Sequence, residues 1–221
     1  MPFEKMLPLM LNGVKDTLYM TTVSTLFAYL LGLPLAIALV LTAPSGLKPH
    51  SLLYRILDTV VNIFRSIPFL ILMILVIPVT RFIAGKAYGS TATIVPLVIA
   101  AAPYVARMIE SSLLEVDPGV IEAAQSMGAS IPDIIFKVLI PEAKTSLIVG
   151  ATISSGTILG YSAMSGAIGG GGLGQIAISY GYNRYQTDVL FVTVILLIAL
   201  MQIIQVVGMR ISRKTDKRIR E

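Results

Sequence analysis

The stretch VLFVTVILLIALMQIIQVVGM (Val189–Met209) contains no charged residue and is bracketed by Asp188 and Arg210. An α-helix rises 1.5 Å per residue, so about 20 apolar residues cross the roughly 30 Å hydrocarbon core of a bilayer. This run is long enough. It therefore predicts a transmembrane helix and places the chain among the membrane proteins.

The composition of the whole chain agrees with this class. Of the 221 residues, 55% are hydrophobic and only 13% are charged, whereas soluble domains carry roughly 25% charged residues. The chain has no cysteine and a single histidine, His50, which argues against disulfides, metal sites and a Ser-His triad. It also lacks clustered carboxylates, so neither a catalytic residue nor a metal ligand is predicted, and a membrane enzyme is disfavoured.

The pattern of apolar runs predicts an all-α polytopic protein with five transmembrane helices in one domain, residues 1–221. The predicted spans are residues 20–41, 60–80, 88–106, 146–167 and 189–209. In the second span the apolar run Ile67–Val79 is too short alone, so the helix extends back through residue 60 and holds Arg65 about one turn inside the membrane. A charged loop, residues 107–144, joins the third and fourth spans and is predicted to form short amphipathic helices outside the hydrocarbon.

The distribution of positive charge predicts the orientation in the membrane. If the C-terminus is cytoplasmic, twelve of the 17 Lys and Arg residues lie inside, and five lie outside. The basic C-terminal sequence Ile211–Glu221 decides the choice by the positive-inside rule. The N-terminus is then outside, the charged loop is cytoplasmic, and the glycine-rich segment (Gly169–Gly174) lies near the outer face of the plasma membrane. The basic tail is also suited to contact anionic lipid.

The charged loop contains IEAAQSMG (Ile121–Gly128), followed by VLIPE (Val138–Glu142). Asp117-Pro118 is typical of a helix start, and Gly128 is typical of a helix end. Small residues at 123, 124, 126 and 129 allow another surface to approach closely, and the helix dipole favours Glu122 near the helix start. The segment is therefore predicted to be a docking element for a cytoplasmic partner, rather than only a solvated helix.

This pattern resembles the EAA loop of permease subunits of binding-protein-dependent ABC importers. The family pattern runs E-A-A, three residues, G, nine residues, then I-x-L-P. It is matched here by Glu122, Ala123, Ala124, Gly128, Val138, Ile140 and Pro141, with valine for isoleucine at 138 and isoleucine for leucine at 140. The resemblance implies that this loop forms the coupling helix that inserts into a groove of the ATPase subunit.

The likeness extends over most of the chain, to the methionine-uptake permeases of that superfamily. It is carried by Val61–Phe69, Gly160–Met164 and Ala167–Gly174. It implies a homodimer that transports methionine by alternating access, two ATPase subunits that bind ATP and magnesium, and an external binding protein. It implies no cofactor in this chain and no nucleic-acid partner. The alternatives are a permease for another amino acid or a phosphonate, and an ion-coupled secondary transporter, although no internal repeat supports the latter.

Three features allow more than one interpretation. The glycine-rich segment matches a dinucleotide-binding pattern, but no strand precedes it, so a close-packed break in a helix is favoured. Arg65 either extends to the membrane interface or joins Asp58 and Asn62 in a polar cluster on one helix face. Tyr161 and Met164 share a face of the fourth span with Ser162 nearby, and they either pack against other helices or line the translocation path.

Overall fold

The computed structural model describes residues 3–216, and within these residues every element is helical. This confirms the all-α polytopic class. The elements, in chain order, are α1 (Phe3–Thr42), α2 (Ser51–Ser66), α3 (Phe69–Leu75), α4 (Ile77–Ala84), α5 (Ser90–Leu114), α6 (Pro118–Ser126), α7 (Ile131–Asp133), a first π-helical turn (Ile134–Leu139), α8 (Ile140–Glu142), α9 (Lys144–Ser165), a 3-10 turn (Gly166–Ile168), α10 (Gly172–Ile176), a second π-helical turn (Ala177–Tyr182) and α11 (Thr187–Thr215). The basic residues Lys217, Arg218 and Arg220, which contribute to the predicted orientation, lie outside the described residues.

Four helical stretches within residues 3–216 are long and apolar enough to cross a membrane: Glu4–Thr42, Ser90–Leu114, Lys144–Tyr182 and Thr187–Thr215. A fifth crossing results if α2 and α3, which meet at a bend of 104°, form one span. The first predicted span, 20–41, lies within the much longer α1. The helix begins at Phe3 and continues through Pro8 and Gly13, and Lys5, Lys15 and Asp16 lie on this N-terminal extension.

The second predicted span, 60–80, is not a continuous helix in the structure. α2 ends at Ser66, and α3 starts only at Phe69, after Pro68 with φ −56° and ψ 133°. Proline has no N–H to donate and disfavours the helical conformation in the residue before it, so the chain turns here. A further break at Val76 separates α3 from α4, and Gly85 ends α4 in the left-handed conformation, with φ 70°.

The chain divides into two compact units, each formed from three separate stretches of sequence. Unit 1 comprises Met1–Ala28, Ile67–Ala101 and Ser155–Val206. Its core joins one side chain of α1 to side chains of α9, α10 and α11. The buried members are Met10, Leu159, Leu173, Ile176, Val189 and Leu200. Between membrane helices, van der Waals packing of such side chains contributes to stability.

Unit 2 comprises Tyr29–Ser66, Ala102–Ser154 and Val207–Glu221. Ile109, Leu113 and Ile134 are at most 2% exposed and form part of its apolar interior. Gly32 permits a close approach of α1 to α5, because a Cβ at this position would lie 3.1 Å from the Ala102 carbonyl oxygen. Small residues at such crossings are typical of helix packing in membranes.

Candidate functional site

α6 carries the Glu-Ala-Ala motif, and local hydrogen bonds define both of its ends. The Asp117 side chain caps the start by accepting a hydrogen bond from the Gly119 N–H at 2.7 Å, and Pro118 occupies the first turn. At the other end Gly128 has φ 77°, and the Ala129 N–H donates to the Ala124 carbonyl at 3.1 Å. A left-handed residue after the last turn is the usual way to satisfy terminal carbonyls. The sequence signals for this helix therefore match its geometry.

α6 keeps very little of its surface buried in unit 2. Ala124 is 4% exposed and anchors the helix, whereas Glu122 and Ala123 are exposed. Met127 is 81% exposed, and Val120 is also exposed. The result is a short, rigid helix that presents one acidic side chain, small residues and two apolar side chains to its surroundings. An exposed apolar patch on a small element is typical of a protein–protein contact.

The second part of the motif follows another capped turn. Ser130 Oγ donates to Asp133 Oδ2 at 2.5 Å, at the start of α7. Ile134, Ile135 and Leu139 of the π-helical turn are buried, and this turn contacts α6. Val138, in this turn, and Ile140 are half-buried, and Pro141 is exposed.

An exposed ion pair lies on the same turn. Lys137 Nζ is 2.6 Å from Asp133 Oδ1. The hydrogen bond from Lys137, followed by that from Ser130, lowers the pKa of the Asp133 carboxyl below its ordinary value. The hydrogen bond to Asp133 raises the pKa of Lys137. Solvent screens such exposed pairs strongly, so their role is local order in the loop rather than overall stability.

The predicted polar cluster exists in part, with a different partner. Asn62 Nδ2 donates to Asp58 Oδ2 at 3.1 Å, as the shared face of α2 suggested. Arg107 of α5, rather than Arg65, supplies the positive charge. Its guanidinium pairs with Asp58, donates to Asn62 Oδ1 at 3.1 Å and pairs with Glu110 Oε2 at 2.8 Å. Arg65 is exposed, in keeping with the alternative interpretation that it extends to the interface.

Sequence reasoning missed Arg107 and Glu110 as members of this cluster. Arg107 is the first residue after the predicted third span, 88–106, whereas α5 continues to Leu114. Glu110 follows it by one helical turn and is 6% exposed. The spacing of an acid three residues after a base on one helix is a pairing signal that could have identified them.

The three residues predicted for the translocation path have different environments. The Tyr161 ring stacks on Phe69, with ring centroids 4.6 Å apart and planes 3° from parallel. Ser162 is buried, and its hydroxyl donates to the Leu159 carbonyl at 2.7 Å. Met164 is 49% exposed. Tyr161 thus packs on α3 and Ser162 bonds within its own helix, whereas Met164 presents an exposed thioether.

The glycine-rich segment forms a tightly packed break between α9 and α10. Gly169, Gly171 and Gly172 all have positive φ angles, of 81°, 93° and 68°. A Cβ at Gly174 would overlap the backbone of Ala163, so only glycine fits. No strand precedes this segment within residues 3–216, and the segment lacks the geometry of a nucleotide-binding loop. Among the described residues, no group of three or more His, Asp or Glu side chains could hold a metal ion.

Comparison with known proteins places these features in a family context. A probable D-methionine transport system permease protein, MetI, of Vibrio cholerae is 50% identical over 210 residues, which cover 95% of this chain and 93% of that protein. A methionine import system permease protein, MetP, of Bacillus subtilis is 45% identical over 207 residues, covering 94% of this chain and 93% of that protein.

A solved structure gives the same result at the level of the fold. A chain of the MetNI methionine ABC transporter in an inward-facing conformation is 47% identical, has a TM-score of 0.95, and is matched over 97% of this chain and 99% of that one. The family model described as "binding-protein-dependent transport system inner membrane component" matches residues 28–221. The chain therefore belongs to the inner membrane components of binding-protein-dependent transport systems.

Proposed function

We propose that this chain is the permease subunit of a methionine ABC importer, and that α6 is the element through which a separate ATPase subunit drives it. The exposed surface of α6 is the observation that carries the proposal. Ala124 alone is buried in this helix, while Met127 is 81% exposed. Burial of a methionine side chain stabilises a contact by about 1.5–3 kcal/mol, which favours a partner that covers it.

The relatives support the choice of substrate and partners. The MetI and MetP proteins are named for methionine transport or import, and the MetNI structure is that of an ABC transporter. In the proposed assembly two copies of this chain form the translocation path, two ATPase subunits bind ATP and magnesium, and an extracytoplasmic binding protein delivers methionine. ATP binding changes the equilibrium between two permease states through contacts that differ between them. We further propose that residues 1–221 form one permease domain.

Substitution of Gly128 tests the coupling role. Gly128→Asp places a charge and a strained left-handed residue at the end of α6, so methionine uptake should fall to the background of cells without the permease. The permease should still insert, because a side chain at Gly128 meets no atom within 4 Å. Uptake of radiolabelled methionine and the amount of protein in the membrane are measured together.

Gly85→Asp is a matched control for this substitution. Gly85 also ends a helix with a positive φ, of 70°, and also has open space around its Cβ position. Gly85→Asp would therefore impose the same backbone strain, but outside the charged loop, so methionine uptake should be retained. Normal uptake with Gly128→Asp at normal expression would contradict the coupling role. Competition of methionine uptake by other amino acids and by a phosphonate separates the alternative substrates.

The absence of cysteine from the sequence allows a clean test of the proposed orientation. We place the charged loop and the C-terminus in the cytoplasm and the N-terminus outside, because of the positive charge in the loop and tail. Met127→Cys should be protected from a membrane-impermeant maleimide in intact cells, whereas Tyr185→Cys should be labelled. Both side chains are more than 80% exposed, so in cells that make the permease without its ATPase subunit access to them depends on the side of the membrane. The reverse labelling pattern would overturn the orientation and the coupling role with it.

The exposed thioether of Met164 is proposed to line the translocation path. This flexible, polarisable thioether can make apolar contact with a methionine side chain without a strong polar bond that would oppose release. Met164→Ala should raise the KM for methionine uptake by severalfold, while the ATPase subunit still co-purifies. An unchanged KM would assign Met164 to lipid or to helix packing. The same measurement on Tyr161→Ala and Ser162→Ala tests the other two residues predicted for the path.

A further inference from the structure

Unit 1 contains an open cleft of about 390 Å³ that the coupling role does not use. One wall is a single face of α1, with Leu9, Gly13 and Asp16 at helical spacing. The other wall is formed by α10 and the second π-helical turn, and ends at Arg184. The polar residues that line the cleft are Asn12, Asp16, Gln175, Ser179, Tyr180 and Arg184.

The two walls are held together by close packing at two glycines and by one buried hydrogen bond. A Cβ at Gly172 would lie 2.6 Å from Thr17 Oγ1, so glycine is needed for this approach. The buried Thr17 hydroxyl accepts a hydrogen bond from the Leu173 N–H at 2.9 Å. Gly13 likewise permits contact with Leu173. The cleft is therefore a feature of a rigid scaffold, with its shape determined before any ligand enters.

Two opposite charges line the cleft without neutralising each other. Asp16 is half-buried, and within residues 3–216 no hydrogen bond or ion pair engages its carboxylate. The Arg184 guanidinium lies over the Tyr180 ring, 4.3 Å from the ring centre, which orients it while its N–H groups stay available. An acceptor-only group and a donor-only group are thus presented to the same space.

We propose that this cleft binds a zwitterionic group, with an ammonium at Asp16 and a carboxylate or phosphate at Arg184. A cation or an anion alone would leave one of the two charges without a partner, whereas a zwitterion satisfies both. The amide and hydroxyl groups of Asn12, Gln175 and Ser179 supply further hydrogen bonds. Leu9 and Ile176 offer apolar contact to the rest of the ligand.

Two sources supply this chemistry: a free α-amino acid and the ethanolamine phosphate headgroup of a lipid. The inference goes beyond the proposed function, because the cleft shares no residue with the charged loop or with Met164. It does not require that methionine is the transported solute. Methionine serves below only as a zwitterion whose two charges can be removed separately.

The amino-acid arm measures binding to the full chain in a non-ionic detergent by equilibrium dialysis. The probes are methionine, its methyl ester, which lacks the anion, and N-acetylmethionine, which lacks the ammonium. Hydrogen bonds to charged groups contribute about 1.5–3 kcal/mol, so Asp16→Asn should weaken methionine binding at least about tenfold. The same variant should leave the already weak binding of N-acetylmethionine unchanged, because that probe has no ammonium. Arg184→Gln should likewise weaken methionine binding, and it should leave the already weak binding of the methyl ester unchanged, because that probe has no carboxylate.

The lipid arm uses native mass spectrometry of the same preparations after incubation with phosphatidylethanolamine or phosphatidylglycerol. Retention of phosphatidylethanolamine that is lost in both variants identifies the lipid headgroup as the source. Lys15→Gln is the control in both arms, because Lys15 is an exposed neighbour of Asp16 outside the cleft lining.

Binding in either arm that depends on both charges supports the proposal, and the arm in which it occurs identifies the source. The proposal is wrong if both variants bind as tightly as the wild type, or if neither arm detects binding. Asp16→Asn and Arg184→Gln are judged only in preparations that elute from size exclusion as the wild type does. The Gly128 experiment reports on the proposed function separately, so failure of one proposal is distinguishable from failure of the other.

Discussion

The charged loop and the glycine-rich segment both depend on glycine, but they use it differently. Gly128 ends α6 with φ 77°, and a Cβ there would meet no atom within 4 Å. Gly174 lies inside α10 and is buried, and a Cβ there would lie 2.7 Å from the Ala163 carbonyl carbon. The first glycine is required by its backbone angle, whereas the second is required by lack of space.

The two segments also differ in how much of their surface is in contact with the rest of the protein. α6 is closed by its own caps and is exposed on most of its surface, so it can be covered by a partner without rearrangement. The glycine-rich segment is held by backbone contacts within unit 1, including a hydrogen bond from the Gly89 N–H to the Gly169 carbonyl at 2.9 Å. One segment is thus suited to transmit force, and the other to fix helices that bear it. Substitutions in the two segments should therefore separate loss of coupling from loss of folding.

The largest effect on stability is expected for Gly174→Ala. The added methyl group would overlap backbone atoms of Ala163, which cannot move as a side chain can, so the cost should reach the upper end of the about 1–3 kcal/mol for overpacking. Thermal unfolding in detergent, followed by size exclusion, measures it. Gly160→Ala is the matched control on α9, because its Cβ would meet nothing within 4 Å. There alanine should stabilise the helix by about 0.5–1 kcal/mol, and a loss of stability would contradict the spatial argument.

A somewhat smaller effect is expected for Thr17→Val. The substitution keeps the shape of the side chain but removes the acceptor for the buried Leu173 N–H. An unsatisfied buried donor costs about 1–3 kcal/mol, so unfolding should occur at a lower temperature. Thr22→Val on the exposed side of α1 is the control and should change little. Equal effects of the two substitutions would mean that this hydrogen bond does not hold α10 to α1.

Gly128→Ala should affect stability less than either substitution. An L-residue in the left-handed region costs about 1–2 kcal/mol, and no steric overlap adds to it. Gly128→Asn should cost less than Gly128→Ala, because asparagine tolerates this region better. Unfolding temperatures of the three proteins, compared with their methionine uptake, test the distinction. If Gly128→Ala lowered the unfolding temperature as much as Gly174→Ala does, the distinction between a glycine needed for its backbone angle and one needed for lack of space would be wrong.

Sequence analysis succeeded where the interactions join residues close in the sequence, and it failed where they join distant residues. The ends of α6 were predictable because Asp117, Pro118 and Gly128 act within one or two turns of the chain. The resemblance of the EAA motif gave the family, which the comparisons confirm. The sequence did not predict that Gly128 is needed for its backbone angle and Gly174 for lack of space. This difference depends on atoms that are distant in the sequence.

The polar cluster and the second span show the same limit. Asp58 and Asn62 were placed together by their spacing on one helix, but the choice of Arg107 over Arg65 depends on how α5 packs on α2 in unit 2. A continuous helix over residues 60–80 was expected because the apolar run alone is too short to cross the bilayer. The local effect of Pro68 outweighed this, since its backbone ends the helix whatever the hydropathy of its neighbours.

The smallest effect is expected at the exposed Asp133–Lys137 pair, which contrasts with the buried Thr17–Leu173 contact. The folded pKa of Asp133 lies below its ordinary value of 3.8, because Lys137 donates a hydrogen bond to the carboxylate. Such a carboxylate contributes stability at pH values above its unfolded pKa, and the contribution is lost as the pH falls through the folded pKa. The difference in unfolding temperature between wild type and Asp133→Asn should therefore be slight and constant from pH 7 to pH 5, should decrease as the pH falls below about 4, and should vanish only below the lowered folded pKa. A difference as large as that for Thr17→Val, or one that grows as the pH falls, would show that this pair supports the fold of the charged loop rather than only ordering its surface.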